Sequence, residues 1–72
     1  MTTRQYGFFV KQISTLNTSK LGDYTFNIKH RYEDIYELEQ IYKGSLVILY
    51  VGSKSECIDA AKDCVQMIMG IE

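Results

Sequence analysis

The clearest pattern along the chain is an alternation of apolar and polar positions over residues 23–32. One set of alternate positions contains Tyr24, Phe26 and Ile28, and the residues between them are polar. Successive side chains of a β-strand point to opposite faces of the sheet. The alternation therefore predicts a strand with one buried face.

Two further segments are predicted to be strands. Residues 5–13 are rich in aromatic and β-branched residues, and the polar residues 15–22 that follow them read as a hairpin loop. Residues 46–51 form an uninterrupted apolar run. A run of this kind is typical of a strand that is buried on both faces.

Two segments have the period of an α-helix. Residues 33–43 carry apolar side chains at intervals of three and four and acidic residues in the first turns, where they favour the helix dipole. Ser53 and Glu56 fit a capping box, which predicts a second helix that begins there and runs to about Met69. Gly70 follows as the expected C-terminal stop.

The predicted fold is a single α+β domain, residues 1–72, with the order β-β-α-β-α. It has a three-stranded mixed sheet, because the crossover through the first helix makes the second and third strands parallel. Both helices pack on one face. The favoured strand order is 2-1-3, with 1-2-3 as the alternative. The predicted core consists of half of the third strand, the stripe of the last helix, which includes Val65, and the residues Tyr6, Phe8, Val10, Tyr24, Phe26, Ile28, Ile35, Leu38 and Ile41.

The second face of this sheet, called the open face below, has no helix to cover it. Since all of residues 46–51 are apolar, part of that strand must point toward the open face. An exposed apolar strip on a small protein marks a contact with a partner. The other side chains predicted on the open face include three cations and no acidic residue. The predicted contact residues are Phe9, Lys11, Ile13, Asn27, Lys29 and Arg31.

Composition supports a folded chain that benefits from a partner. The sequence has 72 residues, 46% of them hydrophobic, so a packed core is expected. Eight Lys and Arg against nine Asp and Glu leave a net charge of −1, which argues against a strongly basic nucleic-acid binder. A domain of this size buries only about 60% of its unfolded surface, so a second chain is expected to contribute to stability.

The two cysteines and the chain's start predict a cytoplasmic protein. Cys57 and Cys64 lie seven residues apart on the predicted last helix, about 10 Å along its axis, which is too far for a disulfide. The first residues lack the pattern of a signal peptide, and no apolar run approaches the length of a membrane span. The proline-free sequence, rich in Tyr, Ile and Lys, suits a short reading frame of a phage or mobile element.

Catalytic chemistry is not expected. His30 is the only histidine. The sequence contains no recognisable Ser/His/Asp or Cys/His grouping and no Cys and His spacing typical of zinc. We therefore predict no catalytic residue, no metal site and no cofactor.

These features predict a small non-enzymatic binding module, a homodimer that acts by occluding or sequestering a partner. The dimer is sealed either through the open face or by strand-edge pairing. One alternative is a nucleic-acid-binding module, using Phe9, Lys11, Lys29 and Arg31 on the open face. Another is a binder of a small anion such as phosphate or a nucleotide at a helix N-terminus, formed by Gly52, Ser53, Lys54 and Ser55. The third is an ordinary solvated face.

Overall fold

A computed structural model of the protein describes residues 3–70, which form two helices and four strands in the order α-β-β-β-β-α. The four strands form one antiparallel sheet in the order β1-β2-β3-β4. The elements are α1 (Thr3–Leu16), β1 (Thr18–Leu21), β2 (Tyr24–Tyr32), β3 (Ile35–Tyr42), β4 (Ser45–Gly52) and α2 (Lys54–Met69).

Two-residue turns make this sheet a simple meander. They occupy residues 22–23, 33–34 and 43–44. In the last turn Lys43 has a φ of 50° and Gly44 a φ of 81°. Positive φ at both central residues is the requirement of a type I′ turn, whose twist matches that of the strands it joins. Such tight connections leave no room for a crossover, so consecutive strands are neighbours.

Residues 5–13, predicted to be a strand, are instead part of α1. This helix buries Phe9 and Ile13, and Tyr6 and Val10 pack against the same core. The spacing of these four residues is that of a helix stripe. Aromatic and β-branched content favoured a strand, but helical spacing decided the structure. The predicted hairpin loop, residues 15–22, contains the end of α1 and the whole of β1.

Residues 33–43, predicted to be a helix, contain the strand β3. Its pairing with β2 brings Leu38 opposite Ile28 and Glu37 opposite Lys29. The positions spaced by three and four therefore do not share one face, and alternation is the period that matters. The sheet has four antiparallel strands rather than three mixed ones. Both predicted strand orders are wrong, because residues 5–13 are not in the sheet.

Both helices pack on one face of the sheet, and the core lies between the two layers. Two helices on one face were predicted, but only α2 is one of the helices that the prediction named. The predicted core residues Ile28, Leu38 and Val65 are buried, whereas Phe8 and Ile35, also predicted there, are exposed because each belongs to an element of the other type. The rings of Phe9 and Phe26 meet edge to face, with their centroids 5.5 Å apart. The core cluster consists of Phe9, Ile13, Leu21, Phe26, Ile28, Leu38, Cys57, Ala61 and Val65.

The predictions for β2, β4 and α2 are confirmed. Ser53 caps α2 through its side chain, and Glu56 completes the capping box. Gly70 ends the helix in the left-handed conformation, with a φ of 72°. These end signals are local, so they can be read from the sequence without knowledge of the tertiary contacts.

The exposed strand β4 and the open sheet face

Strand β4 is the most unusual surface of the protein. It lies at the edge of the sheet, and within residues 3–70 its only strand partner is β3. Six consecutive large apolar side chains, Leu46 to Val51, are each between 38% and 54% exposed. The prediction of a strand here is confirmed, but the prediction that it is buried on both faces is wrong. An edge strand has a neighbour on one side only.

A β-bulge distributes these side chains over both faces of β4. Its register with β3 places Tyr50 opposite Leu38 and Ile48 opposite Glu39, which leaves Leu49 as the extra residue. Residues directly opposite each other in a sheet point to the same face. The helix side of β4 therefore carries Val47 and Tyr50. The open face carries Leu46, Ile48 and Val51.

Helix α2 covers the helix side of β4 only in part. It packs over β3, with β2 and β4 on either side. The Tyr50 hydroxyl donates to Glu56 Oε2 at 3.3 Å, so Glu56 lies on the β4 side of α2. Ala60 is one turn further along, and Met67, which is 83% exposed, is three turns further. The exposed carboxylate of Asp63 lies between them, so this side of α2 is mixed in character and the continuous apolar surface is confined to β4.

The part of the open face around Arg31 is charged, and its charges are paired within the chain. Arg31 donates from Nε to Glu37 Oε1 at 2.8 Å and from Nη2 to Glu39 Oε2 at 3.0 Å. The bond to Glu37 raises the pKa of the Arg31 guanidinium above its usual value. Lys29 lies opposite Glu37. The prediction that this face has cations and no acids is wrong, because residues 37 and 39 belong to a strand rather than to a helix.

The six predicted contact residues do not form one surface. Asn27 and Lys29 lie on the open face, as predicted, and Arg31 reaches Glu37 and Glu39 on the same face. On α1, in the other layer, lie Phe9, Lys11 and Ile13. Phe9 and Ile13 are 1% and 0% exposed, so they are core residues and cannot contact a partner in the folded chain. The four residues predicted for nucleic-acid binding are divided between the two layers in the same way.

At the predicted anion site, the chain supplies its own carboxylate. Glu56 Oε1 accepts a hydrogen bond from Ser53 N at 2.9 Å, and Ser53 Oγ accepts from Glu56 N at 3.2 Å. Hydrogen bonds to the carboxylate from the Ser53 backbone N–H and from the Ser53 side chain lower the pKa of Glu56. The Ser55 hydroxyl lies 3.3 Å from Ser53 Oγ, and Lys54 begins α2. The positive N-terminal end of α2 is thus already capped by Ser53 and by the Glu56 carboxylate.

Gly52 is explained by packing against Tyr50. A Cβ at this position would lie 2.7 Å from the Tyr50 ring and 3.0 Å from Glu56 Oε1. The absence of a side chain lets the Tyr50 ring lie against the backbone and reach Glu56. Gly52 therefore serves the junction of β4 and α2.

A cleft that was not predicted from the sequence lies between α1 and β1. Its volume is about 540 Å³, and its lining consists of Arg4, Gln5, Phe8, Lys20, Leu21 and Gly22. Phe8 is 65% exposed and also lines a smaller neighbouring hollow with Lys11. The signal for this cleft was the helical phase of α1, which turns Phe8 outward once Phe9 is buried.

The residues with reactive side chains are held in structural roles. Burial raises the pKa of both thiols, Cys57 and Cys64, which keeps them protonated at neutral pH. His30 stacks on the Tyr36 ring, 4.6 Å between centroids, and its Nε2 contacts the Glu33 carbonyl oxygen. Within residues 3–70, no three His, Cys, Asp or Glu side chains are grouped as a metal site requires.

In the described part of the chain, neither helix has the length and apolar character needed to cross a membrane. Comparison of the sequence with protein-family models and with curated proteins, and of the structure with solved structures, gives no significant match. The function is therefore argued from the geometry of the molecule.

Proposed function

We propose that the protein is a small non-enzymatic binding module that works as a homodimer, with β4 as its contact surface. The observation that carries this proposal is the row of six apolar side chains at the sheet edge, none less than 38% exposed. Apolar surface of this continuity is unfavourable in water, and a partner that covers it removes that cost.

The shape of this surface favours a polypeptide partner. β4 is an extended strand of eight residues at a sheet edge. A strand edge offers backbone donors and acceptors in a regular row, and another peptide chain is the ligand that matches them. The cleft and the hollow described above both lie at α1, away from this strand.

A second copy of the chain is the partner that the composition favours. β4 contains no charged residue, so two copies can meet there without repulsion. Buried side chains are few in a domain of this size, and a dimer adds apolar contacts that one chain lacks. A module without reacting groups acts by covering a surface of its target, so occlusion or sequestration remains part of the proposal. A cytoplasmic location is also part of the proposal, and the two free cysteines are consistent with it.

The test is the solution mass, measured by sedimentation over a wide range of protein concentration. We expect a monomer–dimer equilibrium for the natural sequence and a monomer for Leu46→Lys, since Leu46 is 54% exposed and its replacement places a charge in the contact. Lys29→Gln, on the charged part of the open face, is the matched control and should dimerise normally. A natural protein that stays monomeric at high concentration would contradict the proposal.

The cleft at α1 favours a second candidate function, binding of single-stranded nucleic acid. Arg4 and Lys20 flank the exposed ring of Phe8, and Lys11 lies beside it. An exposed aromatic ring with cations around it suits base stacking and phosphate contact. Binding of a labelled oligonucleotide at low salt, lost in Phe8→Ala and weakened by added salt, would support this function.

A further inference from the structure

We propose that two copies pair edge to edge through β4, antiparallel about a two-fold axis, so that two four-stranded sheets join into one sheet of eight strands. This inference rests on the proposed homodimer and adds its geometry. The competing geometry packs the two open faces against each other. The two can be separated by what each leaves exposed.

The outer edge of β4 has little of the protection that solvent-exposed edges usually have. Exposed edge strands are commonly short, or carry charged residues, proline or a β-bulge, and only the bulge is present in β4. β4 is eight residues long and contains neither a charge nor a proline. One bulge, at Leu49, is its only irregularity. On the side away from β3, its backbone N–H and C=O groups are available to a new strand.

Exposure on both faces of β4 favours edge pairing over face packing. Contact between two open faces would cover the open-face side chains of β4, Leu46, Ile48 and Val51. It would leave Val47 and Tyr50, on the helix side, in solvent. A strand placed beside β4 contacts both rows at once. Packing of open faces would also bury the charged pair formed by Arg31 and Glu37, which carries a desolvation cost that edge pairing avoids.

The strand is self-complementary, as a two-fold contact requires. In such a contact the same surface meets itself, so like charges would oppose each other if any were present. In β4 apolar rows meet apolar rows, which is the favourable cross-strand pairing. The joined sheet places both α2 helices on the same side. Their β4 sides then face each other across the axis, and they carry the acidic residues Glu56 and Asp63 as well as Ala60 and Met67.

A matched pair of lysine variants tests this geometry. Val47 lies on the helix side and Ile48 on the open face, and they are 48% and 42% exposed, so both changes leave the core intact. Edge pairing places each lysine against the apolar side chains of the second copy's β4. We expect Val47→Lys and Ile48→Lys each to raise the dimer dissociation constant about tenfold or more, measured by sedimentation equilibrium. Lys29→Gln should leave it unchanged.

A weakened dimer in Ile48→Lys alone would overturn edge pairing in favour of open-face packing. An effect of neither variant on a dimer that forms would place the contact elsewhere and also overturn it. Circular dichroism of both variants confirms that they remain folded, and Val47→Thr and Ile48→Thr repeat the comparison without charge if a lysine variant does not fold.

Amide hydrogen exchange gives an independent readout. The N–H groups of β4 that point away from β3 should exchange slowly in the dimer and quickly at concentrations where the protein is monomeric. Fast exchange of these groups in a protein that sedimentation shows to be dimeric would overturn edge pairing and leave the proposed function standing. A protein that is monomeric at all concentrations would overturn both.

Discussion

Glu56 is a single side chain that joins two elements. Its carboxylate accepts from the Ser53 backbone at the start of α2 and from the Tyr50 hydroxyl on β4. Its negative charge raises the pKa of the Tyr50 hydroxyl, while the Ser53 bonds lower the pKa of Glu56 itself. The ionised form of Glu56 is thus the one that holds β4 and α2 together.

The stability of the fold should depend on the ionisation of Glu56. Because the folded-state pKa is depressed, the contribution is complete above the ordinary carboxyl pKa, 4.5, and is lost as the pH falls through the folded value. We expect Glu56→Gln to lose less stability than the natural protein on acidification from neutral pH. Urea unfolding at neutral and at acidic pH measures the difference. Equal pH dependence of the two proteins would contradict this role.

Leu38 is the residue on which the core prediction can be tested. It is fully buried between the sheet and α2, so Leu38→Ala should lower the free energy of unfolding by about 2–5 kcal/mol. Leu46→Ala removes the same atoms from an exposed position and should cost far less in dilute, monomeric protein. Chemical denaturation measures the free energy of unfolding of both variants. Similar decreases in the two would contradict the prediction that burial makes Leu38 more important for stability than Leu46.

At the scale of the elements, replacement by alanine is expected to have opposite effects on stability at two glycines. Gly7 lies within α1 and Gly44 in the turn before β4 with a φ of 81°, and a Cβ would meet no atom within 4 Å at either position. Only backbone conformation therefore differs. Gly7→Ala should stabilise the fold by about 0.5–1 kcal/mol, because alanine favours a helix. Gly44→Ala should destabilise it by about 1–2 kcal/mol. Thermal unfolding distinguishes the two signs.

The elements that sequence reasoning predicted correctly are those with local signals. The capping box and the final glycine identified α2, and alternation identified β2. β3 was missed because Ile35, Leu38 and Ile41 imitate a helical stripe. The turns on either side of it also gave weak signals, since Glu33 and Lys43 adopt positive φ without being glycine or asparagine.

The same error explains what was missed at the candidate site. The apolar character of β4 was predicted, because it depends only on residues 46–51. The acids of the open face depend on β3, so the pairing of Arg31 with Glu37 and Glu39 could not be anticipated from a helical interpretation. Phe9 and Ile13 were likewise assigned to the open face because α1 was taken for a strand.

At the scale of the whole molecule, folding and association should be coupled. A dimer that forms only from folded chains is stabilised by mass action, so the melting temperature of the natural protein should rise with its concentration. Ile48→Lys should melt at a temperature that does not change with concentration. Calorimetry over a hundredfold range of concentration measures both. If the melting temperature of the natural protein does not change with its concentration, the predicted coupling of folding and dimerisation is wrong.

The difference between the two edges of the sheet limits how far such an assembly can grow. Pairing of β4 with β4 uses the same edge of both copies, so the joined sheet ends at two β1 strands. β1 has only four residues and carries Lys20, features that discourage the addition of another strand. In the proposed dimer, growth would therefore terminate at two chains, whereas pairing of one edge with a different edge would propagate into a fibre. The strand that takes no part in the proposed contact would thus limit the size of the assembly.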